Sequence, residues 1–145
     1  MADDQRNFGF LVRDVSRLCA KRFAHNAHEL ELTLPQCKVL ANLARNEGIS
    51  QARLADLTET DPMTLVRTLD RMQEDGWIER RPDPTDRRAY RLYLREPARP
   101  IVERIWKIAE QTRSEALVVL DSSERELLVN LLERIHGTLL ALEAK

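Results

Sequence analysis

Residues 61–95 read DPMTLVRTLDRMQEDGWIERRPDPTDRRAYRLYLR. Asp61 is a good helix N-cap, and Pro62 suits the first helical position, where its missing N–H costs nothing. Steps of about 100° per residue put Leu65, Leu69 and Met72 on one face of a helix over 62–75. Met63, Thr64, Arg67 and Arg71 fall on the opposite face, with Asp70 beside them, and Gly76 ends the helix. Two strands follow, WIERR and AYRLYL; in the second, Tyr90, Leu92 and Leu94 alternate with Arg91, Tyr93 and Arg95. Their connection, Pro82 to Arg88, is too long for a two-residue turn. It is a protruding loop stiffened by Pro82 and Pro84, with Arg87 and Arg88 close to where it rejoins the strand.

Upstream, Phe8, Leu11, Val15, Leu18 and Phe23 keep a helical rhythm to about Leu30. Thr33 and Gln36 form a capping box for a second helix with Leu40, Leu43 and Ala44, stopped at Asn46-Glu47-Gly48. Ser50 can cap a short third helix that buries Leu54, Ala55 and Leu57. Downstream, Pro97 and Pro100 are tolerated only before or within a first turn. Ile101, Ile105, Ile108 and Thr112 then continue at helical spacing to about Leu120. Ser123 with Glu126 reads as a capping box for a last helix carrying Leu128, Leu131, Leu132, Ile135, Leu139 and Leu142.

The balance of 43% hydrophobic and 32% charged residues over 145 positions suits one globular domain spanning 1–145, and four glycines argue against an all-β fold. MADDQRNF cannot serve as a signal peptide, and the most apolar run, ALVVL at 116–120, is far too short to span a bilayer. A cytoplasmic protein without a membrane partner is expected. Cys19 and Cys37 show no C-x-x-C spacing, and His25 with His28 lacks further ligands, so no metal, disulfide or cofactor is expected. Without a Gly-rich phosphate loop, a nucleophile elbow or a placed acid pair, the chain does not read as an enzyme.

A short helix, a tight turn, a second helix and a two-stranded hairpin with a cationic tip make the winged helix-turn-helix plan. A slender polar-faced helix fits the major groove of DNA, and an arginine-bearing loop can reach the narrow minor groove. The net charge of −1 gives the whole molecule no attraction to polyanions, so any such affinity must be local. From Trp77 to Arg95 six arginines face three acids, whereas from Asp121 onward five acids face three bases. The basic side is the hairpin.

The run SQARLADLTETDPMTLVRTLDRMQEDGWIERRPDPTDRRAYRLYL resembles the core of the MarR family of bacterial regulators. The likeness is sharpest in TLVRTLDRM, in GWIERRPDPTDRR and in the L-x-L that ends the second strand, and the helix order extends it over 8–143. The resemblance implies a homodimeric, ligand-responsive transcription factor, usually a repressor, that binds a pseudo-palindromic double-stranded DNA operator. It implies release by a small aromatic or amphipathic effector. Helices 8–30 and 97–143 would then make the dimer, and 34–95 the winged DNA-binding region. By position in the family and by the outward face, Pro62, Met63, Thr64 and Arg67 take the recognition roles. In the wing pattern D-x-R, Asp86 would orient Arg88 into the minor groove, with Arg87 on a phosphate or as a second candidate.

Two features depart from the family: Thr68 stands where a larger aliphatic is usual, and REPARPI replaces a glycine-containing junction before the fifth helix. Two other readings compete. Cys19, with Arg17, Lys21 and Arg22 close in sequence, could serve a thiol-based redox repressor. A winged helix can also dock a protein instead of DNA, although an exposed Met63-Thr64-Arg67 face with a cationic loop suits DNA better.

Overall fold

The computed structural model describes residues 2–145, with side chains from Gln5 onward. In chain order it has α1 (Ala2–Asn26), a 3-10 turn (His28–Leu30), α2 (Leu34–Arg45), β1 (Ile49–Ser50), α3 (Gln51–Thr58) and α4 (Pro62–Glu74). Then come β2 (Ile78–Pro82), β3 (Tyr90–Leu94), a second 3-10 turn (Glu96–Ala98), α5 (Arg99–Ala116) and α6 (Ser122–Glu143). The mainly helical plan with a small hairpin is what the sequence predicts.

Local chemistry sets most boundaries. Thr33 and Gln36 complete their capping box, with Thr33 Oγ1 accepting from the Gln36 N–H at 3.2 Å and Gln36 Oε1 from the Thr33 N–H at 3.0 Å. Ser50 Oγ accepts from the Arg53 N–H at 3.1 Å and opens α3. The box before α6 lies two residues earlier than expected: Asp121 accepts from the Glu124 N–H, and Glu124 accepts from the Asp121 N–H. This earlier start lets Arg125 donate to the Leu117 and Leu120 carbonyls at 3.1 and 3.0 Å, closing the turn after α5. The first helix also stops short of Leu30, giving way at Asn26 to the 3-10 turn, with Glu31 in a left-handed conformation.

The hairpin gains a third, short antiparallel strand, giving the order β1-β3-β2 with Ile49 and Arg80 on either side of Leu92. The Gly48 N–H donates to the Leu92 carbonyl at 2.8 Å. Gly48 has φ +85, a left-handed conformation that residues with a side chain rarely adopt, so glycine suits this position. Leu40, Leu43, Leu54, Leu65, Leu69, Met72, Ile78 and Leu92 are fully buried in one cluster, joined by Ile105 of α5. Complete burial of one such side chain is worth about 1.5–3 kcal/mol, so α4 and the sheet are fixed to one frame.

The two end helices differ. On α1, Phe8, Phe10, Leu11, Val12, Val15 and Leu18 are exposed, and α6 has no buried residue. The accessible surface is 11123 Å², against about 7,700 Å² for a compact monomer of this mass. No helix is long and apolar enough to cross a membrane among the described residues.

Candidate nucleic-acid interface

Helix α4 is held at its start by Asp61, whose Oδ2 accepts from the N–H groups of Met63 and Thr64 at 3.1 and 3.2 Å, with Pro62 in the first turn. Leu65, Leu69 and Met72 anchor one face, which turns Met63, Thr64 and Arg67 outward, Met63 with 65% of its surface exposed. A large apolar side chain held this openly is unusual unless a partner meets it. Arg71 leans toward Asp75 at 3.9 Å, along the helix. Thr68 returns its hydroxyl to the Thr64 carbonyl at 3.0 Å.

The loop after β2 is organised by two aspartates. Asp83 Oδ1 accepts from the Thr85 N–H and hydroxyl, both at 2.8 Å, while Oδ2 accepts from Arg91 Nε at 3.0 Å. The Thr85 bonds foremost, with Arg91 helping, hold the Asp83 carboxyl at about 2. Its support is fully present above the ordinary carboxyl value near 4 and is lost only as pH falls through about 2. The loop is therefore set throughout the neutral range.

Asp86 acts differently from the expectation. Its Oδ1 accepts from the backbone N–H of Arg88 at 2.9 Å, and no bond joins it to the Arg88 guanidinium. The physical reason is the tight loop, in which a carboxylate curls onto the amide two residues on. The result still serves exposure: Arg87 and Arg88 stand at the tip, and neither guanidinium has an ion pair among the described residues. Between tip and helix lies a hollow of about 460 Å³ with Gln51, Asp56, Pro62, Arg88 and Tyr90 in its walls.

Three other hairpin arginines are spent inside the protein. Arg80 donates to Asp70 at 2.8 Å, to Gln73 at 3.0 Å and to the Val66 carbonyl at 3.3 Å, and its side chain is only 16% exposed. It ties β2 to the back of α4. Arg81 lies 3.9 Å over the Tyr93 ring and pairs with Glu79. Arg91 bridges Asp83 and the Gly48 carbonyl. Sequence reasoning left these arginines open and missed the Arg80 tie, whose partners are 7 to 14 residues away. Arg80→Ala should lower unfolding free energy by about 1.5–3 kcal/mol, the worth of hydrogen bonds to a charged group. Arg80→Lys should recover only part, since an ammonium lacks the planar fork. A urea midpoint unchanged in Arg80→Ala would show that the tie carries no weight.

The other candidates separate from this face. Cys37 is buried, and desolvation raises its thiol pKa. Cys19 is half-buried on α1, but Arg22 pairs with Glu115 and Arg17 with Asp14, so these two cations are already committed. The Arg22 bond foremost lowers the Glu115 pKa. The His25 and His28 rings lie 6.4 Å apart, and no group of three or more metal-binding side chains occurs among the described residues.

A capped helix with an open polar face, seated beside a sheet that projects an arginine-tipped loop, defines a winged helix-turn-helix protein. A model of the MarR family matches residues 32–90, spanning α2 through the start of β3. A crystal structure of MarR is 28% identical, with 94% of this chain and 92% of that one covered at a TM-score of 0.82. A MarR transcriptional regulator from Methanosarcina mazei shares the fold at a TM-score of 0.83, with 24% identity and 94% and 99% covered. A cysteine-to-serine mutant of MarR from E. coli, solved with operator DNA, is 25% identical, with 93% and 97% covered at a TM-score of 0.73. The winged region is thus similar to the MarR family, and the fold of the whole chain is like that of the family's solved regulators. Such proteins are transcription regulators and not enzymes.

Proposed function

We propose that two copies of this chain bind a pseudo-palindromic operator and repress transcription until a small effector releases them. The coarser part of this reading, a DNA-binding transcription regulator, is supported by the family and by the relative bound to operator DNA. Pro62, Met63, Thr64 and Arg67 would enter the major groove, with loop 82–88 in the flanking minor groove. The observation that carries this assignment is the pair of unpaired guanidiniums, Arg87 and Arg88, on a loop whose backbone Asp83 and Asp86 fix. The hollow between tip and helix is where the phosphate backbone would pass.

The second copy follows from exposed apolar surface. The excess over a compact monomer is about 3,500 Å² per chain, the scale of obligate dimer interfaces. Most of the exposed large apolar side chains stand on α1 and α6, within the proposed dimerisation helices 8–30 and 97–143. Association there would place the two α4 helices about one turn of duplex apart, roughly 34 Å. An effector seated between these helices and the winged region 34–95 would favour one spacing over another.

The test is retrieval of genomic DNA fragments by the purified protein, followed by a mobility-shift titration at several salt concentrations. Log affinity should fall against log salt with a slope steeper than about −3, as expected when four or more phosphates are neutralised. A flat plot, or no enriched sequence, would overturn the reading.

A further inference from the structure

Met63 is the one large apolar side chain left open on α4. It stands at the second position of the helix, after Pro62, about 150° around from the centre of the buried trio Leu65, Leu69 and Met72. Its own N–H is spent on Asp61 Oδ2 at 3.1 Å, so only the thioether side chain is offered outward. Farther along the same face, Asp70 is held by Arg80 at 2.8 Å and Arg71 leans toward Asp75 at 3.9 Å. The open end of the face is therefore its N-terminal end, where Thr64 and Arg67 flank Met63, Arg67 about 40° around from it.

A recognition helix meets base edges with its N-terminal residues. Almost every group those edges show in the major groove is a hydrogen-bond donor or acceptor; the exception is the C5-methyl of thymine. A thioether is at best a weak acceptor, so Met63 can answer no donor–acceptor pattern. Against a G·C pair it would strip water from polar edges and return no bond. Against thymine it covers a methyl group instead, and apolar surface leaves water on both sides. Both effects favour the same base.

We propose that Met63 is a specificity-determining residue of the operator contact, selecting one thymine in each half-site by its 5-methyl group. The inference deepens the DNA-binding reading above and rests on it: that reading places α4 in the groove, and this one names a base and the group by which it is read. The buried trio holds the helix backbone in the core, while the unbranched Met63 side chain, with three rotatable bonds, settles onto the methyl without moving it. Arg67 and the arginines of the loop tip act through charge and hydrogen bonds, which the methyl group does not affect. Methyl dependence is therefore confined to the thymine under Met63.

Uracil differs from thymine only by that methyl. Thymine-to-uracil replacements in a retrieved operator, made one position at a time and symmetrically in both half-sites, read the contact directly in mobility-shift titrations. One position should weaken binding of the unaltered protein by about tenfold, the loss of a buried methyl group counted in two half-sites. Met63→Ala should weaken binding to the thymine operator by about tenfold and make that same position silent, uracil and thymine binding alike. Met63→Leu, apolar and of similar volume, should keep the discrimination. Met63 lies outside the core cluster, so circular dichroism should stay native in both variants. A Met63→Ala protein that binds more weakly but still senses uracil at the same position would give Met63 a structural role only and overturn the proposal. So would an unaltered protein for which no replacement costs more than about twofold. Specific operator binding with such a flat uracil scan sinks the thymine contact alone. If the operator is bound no better than random DNA, the DNA-binding reading fails and the contact with it.

Discussion

Leu139→Glu should convert the protein to a monomer at micromolar concentration and, with that, remove specific DNA binding. Leu139 is 56% exposed in the single chain and lies in the apolar stripe of α6, so the substitution leaves the chain's own core untouched. In a two-fold dimer each substitution appears twice at the same interface. An unpaired carboxylate buried there costs about 3–5 kcal/mol, so dimerisation weakens by about four orders of magnitude or more. Sedimentation velocity reads the mass, and circular dichroism verifies that helix content persists. A variant that remains dimeric would place the interface away from this stripe.

The second large effect is expected at the loop tip. Arg88→Ala should weaken operator binding by about thirtyfold or more, from the loss of a groove contact worth about 1–3 kcal/mol in each of two subunits. Folding should be unaffected, since the Arg88 side chain has no ion pair among the described residues and only its backbone amide is bonded, to Asp86. Arg88→Lys keeps the charge without the fork and should fall between the two. Unchanged affinity for Arg88→Ala in a mobility-shift titration would remove the wing from the mechanism.

Much of this arrangement is legible in the sequence because it is local. Asp61-Pro62 opens α4 by short-range hydrogen bonding, and the three buried positions Leu65, Leu69 and Met72 are a matter of helical period. The loop is legible from its two prolines and from aspartates that can curl back on nearby amides. What sequence does not show is the fate of charges that meet across the fold. Arg80 meets α4 and Arg91 meets Gly48, contacts of 14 and 43 residues in sequence, and nothing near either arginine announces its partner. Strand β1 is two residues long, too short for any alternation to register. Before α6, the run DSSERE offers two overlapping capping boxes, and the choice of Asp121 is tied to a contact from Arg125 back to the preceding turn.

Separating inward from outward cations along the hairpin gives its stiffness and its grip different chemical controls. A change near the root, at Arg80, Arg81 or Arg91, alters how firmly the finger is mounted. A change at the tip alters what the finger can hold. Two substitutions of identical charge on the same hairpin would thus weaken a complex for opposite reasons, one through a looser lever and one through a blunter end.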